Sequence, residues 1–294
     1  MAKLLLGKDV AEALNARIAS RAEALVKKGI TPTLAIIRCG EDPSQLSYER
    51  GALKRAETTG VTVRTEVLPG ETGKEELLAK IKELGTDPMV HGILLLRPLP
   101  SHLRPFEHEI CNAVPPEKDV DCMTDLSNAG VYTGSPIGFP PCTPQAVMEF
   151  FDYYHIDLKG KDVVVIGRSL VVGRPVAMMA MARHATVTIC HTRTADVPFH
   201  TRQADIIITS AGVLNSLTAG YVREGQIVID VAINWDPAKK EGKGGIAGDA
   251  AFDEVAEKAE AVTPVPGGVG AVTTSVLMEH VVSAAERQNG ELID

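Results

Sequence analysis

The sequence predicts an α/β protein of two domains, the second built on a wound parallel sheet. Val163 to Ile166 form a short, β-branched apolar run of the kind that parallel sheets bury, and this run leads through glycines into a helical segment. Asp205 to Thr209 and Gln226 to Asp230 continue the alternation of strands and helices that such a sheet requires. A chain of 294 residues, of which 45% are hydrophobic, is long enough to bury two moderate cores.

The turn after the first of these strands is a candidate phosphate site. Gly167 and Gly173 allow the backbone to approach a bulky anion, and Arg168 and Ser169 lie between them. Pro175 suits the first turn of a helix whose free amides and dipole attract that anion. The three-glycine fingerprint of dinucleotide sites is absent, so the segment alone is equally typical of an ordinary strand-to-helix turn.

The next predicted strand, Thr186 to Cys190, indicates which dinucleotide would bind. In a Rossmann-type domain the carboxyl end of this strand lies beside the adenosine ribose, where NAD sites usually carry an acidic residue. This chain has His191, Thr192 and Arg193 there. Because no carboxylate repels a 2′-phosphate and cations are available to hold one, the sequence favours NADP over NAD.

Composition excludes several classes of function. A net charge of −8 and an isoelectric point near 5.5 argue against a nucleic-acid partner, and the short basic cluster Lys239, Lys240 and Lys243 is typical of a solvated loop. Five cysteines without paired two-residue spacing predict free thiols in a reducing compartment and no bound metal. No apolar run approaches the length of a membrane span or a signal segment, so we expect a cytoplasmic protein without membrane contact.

The first half of the chain repeats the alternation of helices and strands. Helices are predicted over Lys8 to Lys28, Ser44 to Thr59 and Lys74 to Leu84, and strands over Thr33 to Ile37, Val61 to Val67 and Gly92 to Leu96. A proline-rich connector around residues 136–141 precedes a new helix at Thr143-Pro144. We therefore expect one domain of residues 1–141 and 272–294, to which the last helix returns, and a second domain of residues 142–271.

Eight segments together resemble the methylenetetrahydrofolate dehydrogenase/cyclohydrolase family over nearly the whole chain. They are SYERGALKR (47–55), HGILLLRPLP (91–100), PPEKDVD (115–121), PCTP (141–144), GRSLVVGRP (167–175), CHTRT (190–194), DVAIN (230–234) and TPVPGGVG (263–270). The resemblance implies a folate-binding domain and a Rossmann domain with a cleft between them. It also implies a one-carbon tetrahydrofolate substrate, NADP as cofactor and a homodimer.

The resemblance also implies the roles of individual residues. Tyr48 falls on the family's folate-stacking tyrosine and Asp121 on its pterin-binding aspartate, and both are expected to be catalytic. Without the resemblance, Tyr48 would be interpreted as a half-buried helix residue and Asp121 as a turn or cap residue. The other expected substrate contacts are Ala52, Leu95, Leu96, Arg97, Pro266, Gly267, Gly268, Val269 and Gly270. The expected cofactor contacts are Gly167, Arg168, Ser169, Gly173, Thr192, Arg193 and Ile233.

Two substitutions depart from the bifunctional family. The family carries a lysine four residues after the tyrosine, where this chain has Ala52, and a glutamine before its Leu-Pro-Leu-Pro segment, where this chain has Leu96. In the family that lysine handles protons in the cyclohydrolase step, and the glutamine hydrogen-bonds to it. Both positions are apolar here. In the 266–270 loop, Ala271 and Val272 also replace the usual Pro-Met that follows.

No neighbouring cation is expected to replace the lysine. On an ideal helix Arg50 and Lys54 point away from Tyr48. Arg97 lies one strand position beyond the glutamine's and should face the other side of the sheet, unless a bend at Pro98 re-aims it.

These differences predict a dehydrogenase with little or no cyclohydrolase activity. Hydride transfer to nicotinamide depends mainly on positioning, whereas hydrolysis of the methenyl product needs an acid–base group that is commonly worth about 10²–10⁴ in rate. A bifunctional enzyme that uses Arg97 or another group is the closest alternative. A non-catalytic NADP- or folate-binding protein is a second alternative, against which Tyr48, Asp121 and the nucleotide loop argue.

Overall fold

The computed structural model describes residues 1–239 and 244–290. It divides into two α/β units, each with a parallel main sheet, as the sequence predicts. Residues 13–142 and 274–290 surround a sheet of three strands, and residues 1–12 and 143–273 surround a sheet of six. We call them the three-stranded unit and the six-stranded unit.

The three-stranded unit orders its parallel strands β3–β2–β4. The strands are β2 (Thr33–Cys39), β3 (Thr62–Leu68) and β4 (Gly92–Leu95). The helices are most of α1 (Gly7–Lys27), then α2 (Pro43–Thr59), α3 (Lys74–Thr86), α4 (Glu107–Asn112), α5 (Asp125–Thr133) and α10 (Thr273–Gln288). The predicted helices and strands of this half are confirmed, with their ends shifted by at most two residues.

Helix α2 begins and ends where its sequence dictates. The Asp42 carboxylate accepts hydrogen bonds from the amides of Ser44 (2.9 Å) and Gln45 (3.2 Å), which satisfies two donors at the helix start. Gly60 ends the helix in the left-handed conformation, at a φ of 74°. The buried residues of α2 are Gln45, Glu49, Ala52, Ala56 and Thr59.

The six-stranded unit orders its parallel strands β1–β11–β8–β7–β5–β6. These are β1 (Lys3–Leu4), β5 (Asp162–Ile166), β6 (Thr186–Cys190), β7 (Ile206–Thr209), β8 (Ile227–Asp230) and β11 (Ala261–Val262). The helices are α6 (Cys142–Tyr153), α7 (Gly173–Ala182), α8 (Val197–Thr201) and α9 (Phe252–Lys258), and β9 (Asn234–Asp236) pairs antiparallel with β10 (Gly245–Ala247). The four predicted strands β5 to β8 are confirmed, whereas the pair β9–β10 was not predicted.

The N-terminal segment differs from the expected domain division. Residues 1–12 were assigned to the first domain, but the structure groups them with the six-stranded unit. Strand β1 pairs with β11, and the amide of Leu6 donates to the Tyr154 hydroxyl at 2.7 Å. Two-residue strands such as β1 carry too little pattern to be recognised from sequence.

The cysteines, the basic cluster at residues 239–243 and the membrane-span prediction can be compared with the structure. All five cysteines are free thiols, as predicted, and the structure shows that all five are buried. Lys239 donates to the carbonyl oxygens of Ile246 (2.8 Å) and Val265 (3.2 Å), whereas Lys240 and Lys243 lie outside the described residues. Within residues 1–239 and 244–290, no helix is both long and apolar enough to cross a membrane.

Candidate functional site

The loop between β5 and α7 requires glycine at two of the predicted cofactor positions. Gly167 has a φ of 118°, and a Cβ there would lie 2.6 Å from the Ser210 hydroxyl. A Cβ on Gly173 would lie 2.4 Å from the carbonyl oxygen of Gly167. Both contacts are too short for any other residue, so the loop forms a cradle that only glycine allows.

The start of α7 differs from the expectation that its amides are free to meet an anion. The Ser169 hydroxyl accepts hydrogen bonds from the amides of Val172 (3.1 Å) and Gly173 (3.3 Å), and the Ser169 carbonyl accepts from Arg174 (3.0 Å). Ser169 thus uses donors that a phosphate would otherwise need. The exposed Arg168 and Arg174 side chains therefore carry more of any attraction for a phosphate.

The ends of β5 and β6 lie side by side. The amide of Gly167 donates to the carbonyl oxygen of Cys190 at 2.9 Å. Thr192 and Arg193 are exposed beyond Cys190, and residues 191–195 contain no carboxylate. The following acid, Asp196, accepts from the Phe199 amide at 2.9 Å and so caps α8. This edge therefore presents cations and hydroxyls without an acidic ribose ligand.

A single buried carboxylate organises the loops after β7 and β8. Asp249 accepts hydrogen bonds from Thr209 Oγ1 (2.8 Å), from the amides of residues 211, 212 and 213 (2.6, 3.3 and 2.8 Å) and from Asn234 Nδ2 (3.1 Å). It thereby fixes the 211–213 loop relative to Asn234, the residue after Ile233. Sequence reasoning missed Asp249, because an acid that follows a short strand has no pattern of its own.

The predicted substrate loop and one predicted cofactor residue line the same cavity of the six-stranded unit. The cavity has a volume of about 300 Å³, and Pro266, Gly267, Gly268, Val269 and Gly270 lie in its wall with Ile233. Asp230 also lines it, and burial, with a smaller effect of the Asp249 carboxylate, raises the pKa of Asp230 to about 6. The structure thus brings two separate predicted segments together.

In the three-stranded unit, the Asp121 carboxylate acts electrostatically on the Tyr48 hydroxyl. Burial, followed by the Asp121 carboxylate, raises the pKa of the Tyr48 hydroxyl well above its usual value. Burial also raises the pKa of Asp121, and the Cys142 and Arg97 side chains partly oppose that rise. The Tyr48 phenol is therefore neutral and the Asp121 carboxyl group is partly buried, while their roles in folate stacking and pterin binding stay predictions.

Two residues that were not predicted to belong to the site form hydrogen bonds with Val120 and Asp121. His280 Nδ1 donates to the carbonyl oxygen of Val120 at 2.9 Å, and burial lowers the pKa of His280 to about 4, so the ring is neutral. The amide of Cys142 donates to Asp121 Oδ1 at 3.5 Å, and its thiol donates to Val120 O at 3.5 Å. Cys142 could have been predicted, because it belongs to the PCTP segment. His280 could not, because it lies 160 residues from Val120 in the sequence.

The two substituted positions lie on the same face of the three-stranded sheet. Leu95 packs in the apolar cluster of α3 and α4, so Leu96, which follows it, faces the opposite side. Ile37 packs in the same cluster as Leu95, so the next residue, Arg38, also faces the opposite side. Arg38 pairs with Glu49 of α2 at 3.0 Å, and α2 therefore lies on that opposite side. Ala52 is 0% exposed and Leu96 is 5% exposed. Ala52 and Leu96, the two positions predicted to depart from the bifunctional family, are thus both buried and apolar.

Arg97 lies toward α4, on the face predicted from strand alternation. Its guanidinium is 3.7 Å from the Glu107 carboxylate at the start of α4. Its positive charge nevertheless acts on Asp121 and lowers the pKa of that carboxyl group. Arg97 therefore contributes a field at the predicted substrate site.

Comparison with known proteins agrees with this geometry. Residues 5–121 match the catalytic domain of tetrahydrofolate dehydrogenase/cyclohydrolase, and residues 141–289 match its NAD(P)-binding domain. A bifunctional protein FolD from Carboxydothermus hydrogenoformans is 46% identical over 99% of this chain and 99% of its own length. The Campylobacter jejuni FolD structure is 39% identical with a TM-score of 0.91, over 98% of this chain and 99% of that one.

A third relative was solved with a nucleotide. The Trypanosoma brucei methylenetetrahydrofolate dehydrogenase-cyclohydrolase, in complex with NADP and an inhibitor, is 31% identical with a TM-score of 0.88, over 97% of this chain and 98% of that one. Both domain matches, and relatives that cover nearly the whole chain, indicate the same family. The chain belongs to the tetrahydrofolate dehydrogenase/cyclohydrolase family.

Proposed function

We propose that this family member is an NADP-dependent 5,10-methylenetetrahydrofolate dehydrogenase with little or no cyclohydrolase activity. The observation that carries the proposal is the fully buried methyl group of Ala52, with Leu96 on the same side of the sheet. An ammonium and an amide in the bifunctional pattern are both replaced by hydrocarbon. Family membership argues against the alternative of a non-catalytic binding protein.

The folate is bound chiefly through Tyr48 and Asp121. The phenol ring offers an aromatic face for stacking, and its raised pKa keeps the hydroxyl protonated. The Asp121 carboxylate accepts hydrogen bonds from the pterin, and its partial burial strengthens them. His280 and Cys142 hold the adjoining backbone and so position that carboxylate.

The cofactor is held by residues that fit a dinucleotide. The glycine cradle at Gly167 and Gly173 admits the pyrophosphate, and Arg168, Thr192 and Arg193 bind the 2′-phosphate, since no acid competes there. Bound NADP supplies the hydride acceptor for the methylene carbon of the folate. Asp249 fixes the 211–213 loop that continues the same sheet edge.

The loss of the lysine separates the two family reactions. The folate nitrogen lone pair drives hydride departure, so this step needs a positioned substrate and no proton donor at that carbon. Hydrolysis needs a group that exchanges a proton near neutral pH. The guanidinium of Arg97 does not exchange one, and the carboxylate of Glu49, three residues before Ala52, is engaged by Arg38 at 3.0 Å.

A bifunctional enzyme that relies on Arg97 is the second candidate. One observation favours it, because the charge of Arg97 reaches Asp121. A permanent cation can stabilise a hydroxide equivalent electrostatically without taking up a proton. Such an enzyme would lose hydrolysis in Arg97→Leu while keeping hydride transfer.

Direct hydrolysis of methenyltetrahydrofolate tests the proposal. We expect the decay of methenyltetrahydrofolate to be independent of enzyme concentration, while the same preparation reduces NADP with a higher kcat/KM than NAD. Decay that rises in proportion to enzyme would contradict the monofunctional assignment, and equal kcat/KM values would contradict the cofactor assignment. We also propose a homodimer, to be checked by light scattering.

A further inference from the structure

Gln45 is a buried amide at the start of α2 whose orientation is fixed by the backbone. Its side chain is 2% exposed and belongs to the buried face that also carries Glu49 and Ala52. Its Nε2 group donates to the carbonyl oxygen of Pro98 at 2.8 Å. Because that acceptor requires an N–H group, the amide nitrogen faces Pro98 and the amide oxygen Oε1 points elsewhere.

The amide oxygen of Gln45 has no hydrogen-bond partner among the residues that the structure describes. Its neighbour on the same face, Glu49, is in contrast paired with Arg38 at 3.0 Å. A buried acceptor without a donor costs about 1–3 kcal/mol, so an unpaired acceptor beside predicted binding residues is a candidate to receive a donor from the ligand. The Gln45 amide therefore carries an acceptor that no described group of the protein satisfies.

The surroundings of Gln45 belong to the predicted folate site. Tyr48 lies three residues later, one helical turn along, and is a predicted stacking residue. The Nε2–Pro98 bond joins Gln45 to the segment that contains Leu96 and Arg97, which are predicted substrate contacts. Two independent predicted folate segments thus flank the same buried amide.

We propose that Gln45 Oε1 accepts a hydrogen bond from an N–H group of the bound folate, which makes Gln45 a specificity-determining residue of this enzyme. The inference rests on the proposed folate substrate. Asp121 accounts for the paired donors of the pterin, so the donor for Gln45 is the secondary N–H of the reduced pterin ring or the amide N–H of the benzoylglutamate. Both present the same chemistry, a neutral N–H opposite a buried carbonyl.

Two substitutions separate the effect of the Gln45 acceptor from the effect of its hydrogen bond to Pro98. Gln45→Met keeps the length but removes both the acceptor and the bond to Pro98, whereas Gln45→Glu removes the same amide donor and keeps an acceptor. We expect Gln45→Met to raise the KM for methylenetetrahydrofolate about tenfold, the effect of one lost hydrogen bond. The kcat and the KM for NADP should stay within about twofold, and Gln45→Glu should recover much of the loss.

The matched control is Asn15 in α1, whose buried Oδ1 also has no partner among the described residues. Asn15→Leu should leave the KM for the folate unchanged. Competition by p-aminobenzoylglutamate or by a tetrahydropterin distinguishes the two donors, because only the fragment that carries the donor should bind more weakly to Gln45→Met.

Calorimetric binding of tetrahydrofolate separates this inference from the proposed function. A wild-type protein without dehydrogenase activity would refute the function, yet tetrahydrofolate binding would still report on Gln45. The inference itself would be overturned by unchanged folate affinity in Gln45→Met, or by a Gln45→Glu variant that binds folate no better than Gln45→Met.

Discussion

Introducing the lysine and the glutamine of the bifunctional pattern should raise the cyclohydrolase activity of this protein. The variant Ala52→Lys with Leu96→Gln places an ammonium one turn after Tyr48 and an amide on the same side of the sheet. A positioned acid–base group is worth about 10²–10⁴ in rate. The lysine alone should gain less, since beside Leu96 it lacks the partner that orients it and tunes its acidity.

The structure reduces the expected gain. Ala52 is 0% exposed, so a longer side chain meets atoms already in contact and should cost about 1–3 kcal/mol of stability. Glu49 lies three residues before the new lysine, and its carboxylate favours the charged ammonium, which raises the pKa of that amine and leaves less of it in the neutral form that can accept a proton near pH 7. We therefore expect hydrolysis about 10–100-fold above the buffer rate, at the lower end of the range.

The assay follows the decay of methenyltetrahydrofolate at several enzyme concentrations. Ala52→Met controls for packing, because it adds a side chain of similar length without the ammonium. Leu53→Lys adds a lysine at the neighbouring, 37% exposed position and controls for charge. If the double variant folds, reduces NADP and still shows no more hydrolysis than Ala52→Met, the proposal that Ala52 and Leu96 limit the cyclohydrolase activity is wrong.

Four further predictions concern the substrate, the cofactor and pH. Asp121→Ala should lower kcat/KM for the folate by about 10–100-fold and Tyr48→Ala by about 3–10-fold, while the NADP affinity measured by calorimetry stays unchanged. A parallel loss of NADP affinity would show that the two residues do not belong to the folate site. Thr192→Asp should erase the preference for NADP over NAD in kcat/KM, because its carboxylate repels the 2′-phosphate, and an unaltered ratio would refute that placement. Asp249→Asn should raise the KM for NADP more than the KM for the folate, since it loosens the loop that Asp249 holds, and equal rises would indicate general destabilisation. Burial lowers the pKa of His280 from 6.5 to about 4, so the folded protein binds fewer protons than the unfolded chain in this window; the free energy of unfolding should fall as pH drops from 6.5 to 4, less steeply in His280→Gln, and identical slopes would contradict it.

Local signals predicted the elements that carry the candidate site. Helix α2 was recognisable because Asp42, Pro43 and Gly60 each act within one turn of its ends. Strands β5, β7 and β8 were recognisable because buried parallel strands are continuous apolar runs. Strand alternation also predicted the face of Arg97, because the chain keeps its extended pairing through Leu96, whose amide donates to Ile37 O at 2.9 Å.

Long-range contacts could not be predicted in the same way. The bond from His280 to Val120 and those from Asp249 to residues 209–213 join segments that only the tertiary fold brings together. The glycine pattern predicted the close approach at Gly167, but the capping by Ser169 depends on a rotamer that sequence does not specify. The orientation of the Gln45 amide likewise follows only from its bond to Pro98.

Following NADPH and methenyltetrahydrofolate together during turnover of methylenetetrahydrofolate by the wild-type protein tests whether it is a dehydrogenase without cyclohydrolase activity. We expect the two signals to rise in a one-to-one ratio and the methenyl signal then to decay only at the buffer rate, whatever the amount of enzyme. NADPH formation with a methenyl signal that stays low, and with formyltetrahydrofolate appearing at a rate proportional to enzyme, would contradict it.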